Sequence, residues 1–232
     1  MFVTFLREHK TAEADDGVML PWTIADKRTT QQGQSPNYQI LIDQPVLESS
    51  IGLVESFNQA VDDFVKQSTD SFMSMSASNK PLPTEIAAQS NRLTIWYDVL
   101  ATSHGIISVQ LNEEVAPVLS ANYDYHNKSI TYDITNSKLL QLQDMFKSDV
   151  HYLQALSNYV SAELKRENRL DFPENVLPNL ELNPVWNLAP GGVLITFDQD
   201  TVSGHPMGPS TVFVPFTALP DDFREDWPRL YR

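Results

Sequence analysis

Two stretches of the chain carry the apolar spacing of amphipathic helices. Between Ile51 and Met75, apolar residues recur at intervals of three and four, as in a helix lying on a sheet. A similar stripe runs from Val150 to Leu164, with Ser148 and Asp149 before it and Lys165-Arg166 at its end. These flanking residues suit a capped helix aligned with its dipole. The spacing therefore predicts two main α-helices.

Between and after these helices, apolar residues alternate with polar ones and predict β-strands. Leu93 to Val99 and Ile107 to Leu111 predict a hairpin around Ser103-His104-Gly105. The tyrosines 123 and 125 predict one strand, and Ile130 and Tyr132 predict the next, with a turn at 135–137. Further strands are expected at 180–182, 185–188, 193–197 and 211–216.

The N-terminal region gives weaker patterns. Phe2 to Leu6 is expected to form an edge strand, and most of Thr11 to Pro36 is polar, turn-rich and expected to be loop. Tyr38 to Ile42 predicts a strand that stops at Pro45, and Ser49-Ser50 are placed to cap the first helix.

This order of elements predicts an α+β fold in which one or more largely antiparallel sheets pack against the two helices. Short connections favour antiparallel neighbours, so a doubly wound parallel fold is not expected. We expect a strand-helix subdomain over residues 1–92 and an α+β domain over 93–232, the two packing closely enough to form one compact unit.

Composition narrows the functional classes. The chain has 232 residues and a formal net charge of -14, which argues against nucleic acid as a partner because phosphate binding needs clustered Lys and Arg. There is no cysteine, which removes disulfides and thiolate sites. No apolar run is long enough to cross a bilayer, and the first residues lack the basic-then-apolar order of a signal peptide.

A search for chemistry gives no catalytic candidate. The five histidines lack the close spacing of a zinc site, and Asp198-Gln199-Asp200 begins like a calcium loop without its later glycine and glutamate. No nucleophile elbow or phosphate-binding glycine loop is present. We therefore expect no enzyme, no metal and no cofactor.

Four polar residues remain as binding candidates: Asn122, Asp124, His126 and His205. Asp124 and His126 lie two apart on an expected strand and therefore share one face. Such a pair serves acid-base chemistry or binding, or simply solvates that face.

The order of features from about residue 93 resembles the bacterial domain of unknown function at the C-terminus of RsiV-type anti-sigma factors, which also occurs beside peptidoglycan deacetylases and in mycobacterial secreted antigens. The similar stretches are the first hairpin, the strand, turn and helix entry from Tyr132 to Phe146, the helix through Tyr159 and Leu164, and the closing segments 192–197, 203–209 and 212–219. Upstream, residues 38–75 resemble the companion N-terminal domain, with Pro45 and Asn58 at its characteristic proline and asparagine.

One departure from the family pattern affects function. The family carries a Gly-Gly-Ala-His turn before its second strand pair, where this chain reads Leu119-Ser120-Ala121-Asn122. Any role of that histidine is therefore not carried over to this chain.

The resemblance implies a non-catalytic, extracytoplasmic binding or sensor-like module. RsiV-type proteins bind lysozyme, a basic protein, and the acidic charge of this chain suits such a partner or a cell-wall component. Two alternatives stay open. The first is a structural, self-assembling envelope protein whose edge strand 2–6 pairs with a neighbouring subunit of a homo-oligomer. The second is a cell-wall carbohydrate-binding or hydrolase-associated domain.

Overall fold

The computed structural model describes the backbone of residues 3–10 and, beyond them, residues 22–34, 37–50, 53–78, 89–103, 105–118, 120, 122–147, 152–176, 185–224 and 227. The first half contains strands β1 (Val3–Lys10), β2 (Trp22–Gln34) and β3 (Asn37–Ser49), helix α1 (Glu55–Ser78), and strands β4 (Asn91–Ser103) and β5 (Ile106–Ala116). The second half contains β6 (Asp124–Asp133), β7 (Lys138–Leu139), helix α2 (Tyr152–Arg166), β8 (Val185–Ala189), β9 (Gly192–Phe197) and β10 (Ser210–Pro215).

These strands form two sheets and give an α+β fold, as the sequence predicts. Seven strands are hydrogen-bonded in the order β1-β2-β3-β4-β5-β6-β7, and three in the order β10-β9-β8. Most pairs are antiparallel, but β3 and β4 are parallel over Tyr38–Ile42 and Asn91–Ile95. The connection between β3 and β4 contains α1, and a crossover of this length is what parallel neighbours require.

The chain divides into two compact units. The first unit comprises Met1–Asp98 with Leu111–His126, and the second comprises Val99–Gln110 with Asn127–Arg232. Each unit therefore takes residues from β4 and β5. The division of the sequence into domains 1–92 and 93–232 stays a prediction about which segments fold independently.

In the first unit, α1 buries its apolar stripe on the sheet. Phe57, Val61 and Phe72 are fully or almost fully buried on the helix. Phe72 packs in one cluster with sheet residues Ile40, Ile42, Leu93 and Ile95. The apolar residues spaced three and four apart on the helix thus pack against alternate residues of β3 and β4. Burial of each such side chain stabilises the unit by about 1.5–3 kcal/mol.

In the second unit, α2 and the three-stranded sheet share a larger apolar core, with Leu156, Val160 and Leu164 on the helix and Val193, Ile195, Val212 and Val214 on the strands. A buried polar contact adds to it. Asn187 on β8 donates through Nδ2 to Ser108 Oγ (3.1 Å) and to the Val109 carbonyl (2.9 Å) on β5. These bonds link β8 to β5 through a side chain.

Three expectations for the N-terminal half are wrong. Part of the segment expected to be loop is the 13-residue strand β2, which pairs with β3 along its whole length and with β1. Its polar residues belong to a strand because β3 pairs with all of them and β1 pairs with those up to Thr30. Strand β3 continues through Pro45 to Ser49, which is possible because the pairing of β3 with β4 ends at Ile42, so the missing proline N–H interrupts no ladder there. Helix α1 begins at Glu55, too far along for Ser49 or Ser50 to cap it.

In the second half of the chain, one strand prediction is wrong. The segment expected to form two strands, at Tyr123-Tyr125 and Ile130-Tyr132, contains the single strand β6. The turn at 135–137 is confirmed, with Ser137 in the left-handed region at φ 53°. The hairpin of β4 and β5, the edge strand β1, the strands β8, β9 and β10 and the basic end of α2 are also confirmed. The expected strand at 180–182 and the cap at Ser148-Asp149 lie outside the described residues.

Among the described residues, no helix combines the length and the hydrophobicity that crossing a bilayer requires.

Candidate functional site

Three of the four predicted binding residues lie at the start of β6. Asp124 and His126 are exposed at alternate positions of the strand, so their side chains share one face, as predicted. Asn122 is exposed just before the strand. Its backbone is held by Ser120, whose Oγ donates to the Asn122 carbonyl (2.7 Å) and accepts from the Asn122 N–H (3.1 Å). The structure thus brings these three residues together along one short segment.

The fourth predicted residue, His205, belongs to the second unit, in a single 3-10 turn formed by His205–Met207. Its Nδ1 lies 2.7 Å from Asp200 Oδ2, while its Nε2 is buried and has no hydrogen-bond partner among the described residues. The Asp200 carboxylate therefore orients the ring. The arrangement is an oriented imidazole, but no nucleophile is hydrogen-bonded to its second nitrogen.

The acidic segment 198–200 is already engaged by protein groups. Asp198 Oδ1 accepts from both the backbone N–H and the side-chain Nδ2 of Asn127, each at 2.9 Å. Gln199 Nε2 donates to the His205 carbonyl at 3.0 Å. In the part of the chain that the structure describes, no three His, Asp or Glu side chains are placed to hold a metal ion together.

Sequence reasoning missed a cluster on the opposite face of the same segment. Tyr123 is 41% exposed, and the Arg92 guanidinium lies over its ring at 5.9 Å from the centroid. Arg92 also bonds Glu114 Oε1 at 3.0 Å, and Tyr125 donates to Glu114 Oε2 at 3.0 Å. Burial, followed by the bond to Glu114, raises the pKa of Tyr125. We call these four residues the tyrosine-arginine cluster.

This cluster has the residue types that often dominate binding surfaces, because Tyr offers large contact area with few rotamers to order and Arg offers several hydrogen-bond donors on one planar group. Here Glu114 orders both Arg92 and Tyr125 in advance. The alternation of residues 122–126 already places the tyrosines opposite Asp124 and His126. The sequence could not pair Tyr123 with Arg92, because the two are 31 positions apart on different strands.

A second polar cluster of the first unit links β2, β3 and β4. Arg28 bonds Asp43 through Nε (3.1 Å) and through a terminal nitrogen (2.9 Å), and lies 4.0 Å from Asp26. Tyr97 donates a hydrogen bond to Asp26. Burial, and then the bond to Asp26, raises the pKa of Tyr97 well above its usual range. Because one guanidinium contacts both carboxylates, this cluster is an ion network that links the strands.

Comparison with known proteins identifies part of the chain. Residues 143–217 match the family described as "Protein of unknown function (DUF3298)". The matched segment includes α2, β8, β9 and β10, so this part of the chain is similar to that family. No curated protein matches the chain.

Solved structures of the same family extend the likeness in fold. A DUF3298 family protein from Pseudomonas aeruginosa is 13% identical, with a TM-score of 0.55, and the match covers 90% of this chain and 97% of that one. A DUF3298 family member from Bacteroides fragilis is 15% identical, with a TM-score of 0.56, and the match covers 88% and 93%. At these identities the likeness concerns the fold.

Proposed function

We propose that this chain is a non-catalytic binding module of the RsiV type, which acts outside the cytoplasmic membrane and recognises a basic protein such as lysozyme. The observation that carries the proposal is the acidic surface. A net charge of -14 attracts a cationic partner over distances of about 8 Å at physiological salt, and so speeds encounter.

Helix α1 illustrates this surface. Its exposed side carries the acidic residues Glu55, Asp62, Asp63 and Asp70, and Lys66 is its one cation. Lys66 is bonded to Asp70 and therefore neutralises only one of them. The helix thus presents a net negative face to solvent.

Exposed cations elsewhere are largely engaged by acids already. Arg28 pairs with Asp43, Lys138 with Asp144, and Arg166 with Glu163. Among the described residues, the exposed carboxylates of Glu55, Asp124 and Glu174 have no cation within 4.0 Å. Such carboxylates are available to the Lys and Arg side chains of a partner.

The proposed location and partner class rest on family likeness. The segments that resemble the outer domain of RsiV-type anti-sigma factors overlap the DUF3298 match at 143–217. In that family the outer domain is the part that meets lysozyme, so an acidic surface on this chain is consistent with the same kind of partner.

A pull-down of the full chain on immobilised lysozyme tests the proposal. Binding should be clear at about 50 mM salt and fall steeply by about 300 mM, because salt screens exposed charges. The triple variant Glu55→Gln, Asp63→Asn, Asp70→Asn should bind more weakly, while Gln59→Ala on the same helix should bind as the unmodified chain. Absence of binding at both salt concentrations would overturn the proposal.

A second candidate function, cell-wall glycan binding, is favoured by the tyrosine-arginine cluster. An exposed aromatic ring can stack on the apolar face of a sugar, and fixed charged groups can bond its hydroxyls. Titration with N-acetylglucosamine oligomers, followed by protein NMR, should then shift signals around Tyr123, and Tyr123→Ala should remove the shifts. Unchanged spectra would reject glycan binding.

Self-assembly has one structural feature in its favour. β1 is the edge of the seven-stranded sheet, and an edge strand can accept a strand from a second copy. Size-exclusion chromatography with light scattering distinguishes this candidate, since it predicts a concentration-dependent increase in mass. The charge of -14 opposes such association.

A further inference from the structure

Two neighbouring loops of the second unit expose apolar side chains together. Phe172 is 37% exposed and Met207 is 43% exposed, and the prolines beside them, Pro173 and Pro206, are exposed as well. A single exposed apolar residue is ordinary on a soluble protein, whereas four on two adjoining loops mark a surface that a partner can cover. We call residues 170–175 and 201–209 the two-loop surface.

Backbone hydrogen bonds hold the two loops against each other. The N–H groups of Asp171 and Phe172 both donate to the Val202 carbonyl, at 2.8 and 3.1 Å. In return, the Gly204 N–H donates to Asp171 Oδ2 at 3.0 Å. Asn175 adds a bond from its Nδ2 to the Thr201 carbonyl at 2.6 Å. The loops therefore form one ordered surface.

Arg169 fixes the far end of the second loop. One terminal nitrogen of its guanidinium donates to the carbonyls of Met207 and Pro209, each at 2.7 Å, and its Nε donates to Ser210 Oγ at 3.1 Å. The Met207 N–H also donates to the Gly204 carbonyl at 2.9 Å, so the backbone at Met207 is held on both sides and little backbone freedom is left to lose on binding. Such preorganisation favours affinity at a given contact area.

The charges around these apolar side chains are mostly negative. Asp171 and Glu174 are exposed on the two loops and Asp200 just before the second loop, and the basic residues described there are Arg169 and His205. In the described residues Glu174 has no ion-pair partner, and Asp200 contacts His205 alone. A segment with an apolar side chain between Lys or Arg residues would match this pattern. A second copy would not, because it would bring the same negative charge.

We infer that the two-loop surface is the docking site for an apolar, positively charged segment of a partner protein, with Phe172 and Met207 as its contact residues. This inference rests on the proposed function and names the surface that function would use. It accounts for two exposed apolar side chains that the fold itself does not need. The exposed carboxylates would steer the segment, and the apolar side chains would hold it.

The test uses the full chain and two probes, lysozyme and a synthetic Leu/Lys amphipathic peptide, in calorimetric titrations. The double variant Phe172→Ser, Met207→Ser should weaken binding of both probes by about tenfold or more. Leu53→Ser is the matched control, because it removes a still more exposed apolar side chain, 67% exposed, from a loop of the first unit. It should change affinity by less than about twofold. Far-UV circular dichroism should show that all variants are folded.

The outcomes separate the two proposals. If lysozyme binds the double variant and the unmodified chain equally well, the docking site is wrong and the proposed function stands. If only the peptide binds, and binding depends on Phe172 and Met207, the docking site stands and the lysozyme-like partner is wrong. If neither probe binds the unmodified chain, both are overturned.

Discussion

The side-chain amide of Asn58 on α1 makes two hydrogen bonds to the backbone of Leu47 on β3. The Leu47 N–H donates to Asn58 Oδ1, and Asn58 Nδ2 donates to the Leu47 carbonyl, both at 2.9 Å. The pairs of β3 with β4 end at Ile42, so the amide takes the place of a neighbouring strand. Pro45 lies between Ile42 and Leu47, on the part of β3 beyond its pairing with β4.

This relationship predicts the effect of replacing Asn58. Asn58→Ala leaves the N–H and carbonyl of Leu47, a residue only 1% exposed, without these two hydrogen bonds. It should lower the free energy of unfolding by about 1–3 kcal/mol. Chemical denaturation measures the loss. Gln59→Ala is the control, because Gln59 makes only an exposed bond to Asp63, and it should change stability by less than about 0.5 kcal/mol. Equal effects of the two variants would contradict the role given to Asn58.

Two glycines predict opposite responses to an added methyl group. A Cβ on Gly192 in β9 would lie 2.3 Å from the Val214 carbonyl oxygen and 2.8 Å from Pro215 Cα, so the backbone of β10 would have to move. We expect Gly192→Ala to destabilise the chain by about 2 kcal/mol or more.

Gly204 is the matched control for that substitution. Its added Cβ would meet nothing closer than 3.9 Å, and its φ of -64° is open to alanine. Gly204→Ala should leave stability unchanged or raise it by about 0.4–1 kcal/mol through the unfolded chain. Thermal unfolding of both variants checks the contrast, and a tolerated Gly192→Ala would show that β9 and β10 are packed less closely than the structure gives.

Tyr97 predicts a dependence of stability on alkaline pH. Its pKa is raised in the folded chain from an ordinary value of 10.0, chiefly by burial and then by the bond to Asp26. The neutral phenol is therefore favoured by folding. Its contribution is complete below pH 10 and is lost as the pH rises from there toward the folded pKa, because the unfolded chain releases the proton first.

Denaturation of the unmodified chain and of Tyr97→Phe at pH 8 and at about pH 11 tests this sign. The advantage of the unmodified chain over the variant should be larger at pH 8 than at the alkaline pH. A constant difference between the two proteins would show that the Tyr97 hydroxyl is not shielded as described. Measuring the difference within each pH removes the effect of other tyrosines.

The elements predicted correctly from the sequence are those with one buried face, because burial makes their apolar residues recur at regular intervals. Leu93 and Ile95 alternate because one face of β4 is buried, and Phe57, Val61 and Phe72 recur because α1 lies on that sheet. The periodic apolar residues are the buried ones, so their spacing shows which face of each element is covered. The order of the same elements carries the resemblance to the RsiV-type domain of unknown function. The match of residues 143–217 to DUF3298 supports a domain of unknown function in that segment.

The missed features depend on partners distant in sequence. Residues 27–34 of β2 are polar and form a strand because β3 pairs with all of them and β1 pairs with residues 27–30, which local propensity cannot report. The tyrosine-arginine cluster has the same cause: Arg92, Glu114 and Tyr125 meet only when β4, β5 and β6 are neighbours. Asn122, Asp124 and His126 could be grouped in advance, since they lie within one short segment.

The rate of association with lysozyme shows whether the acidic surface drives binding, since charge acts on encounter before any contact forms. Stopped-flow or surface-based kinetics of the full chain should be compared for native lysozyme and for lysozyme whose lysines have been succinylated, at low and moderate salt. We expect fast association with the native protein, a rate that falls by about tenfold or more between the two salt concentrations, and no measurable association with the succinylated form. Equal rates for the two forms, or a rate indifferent to salt, would contradict it.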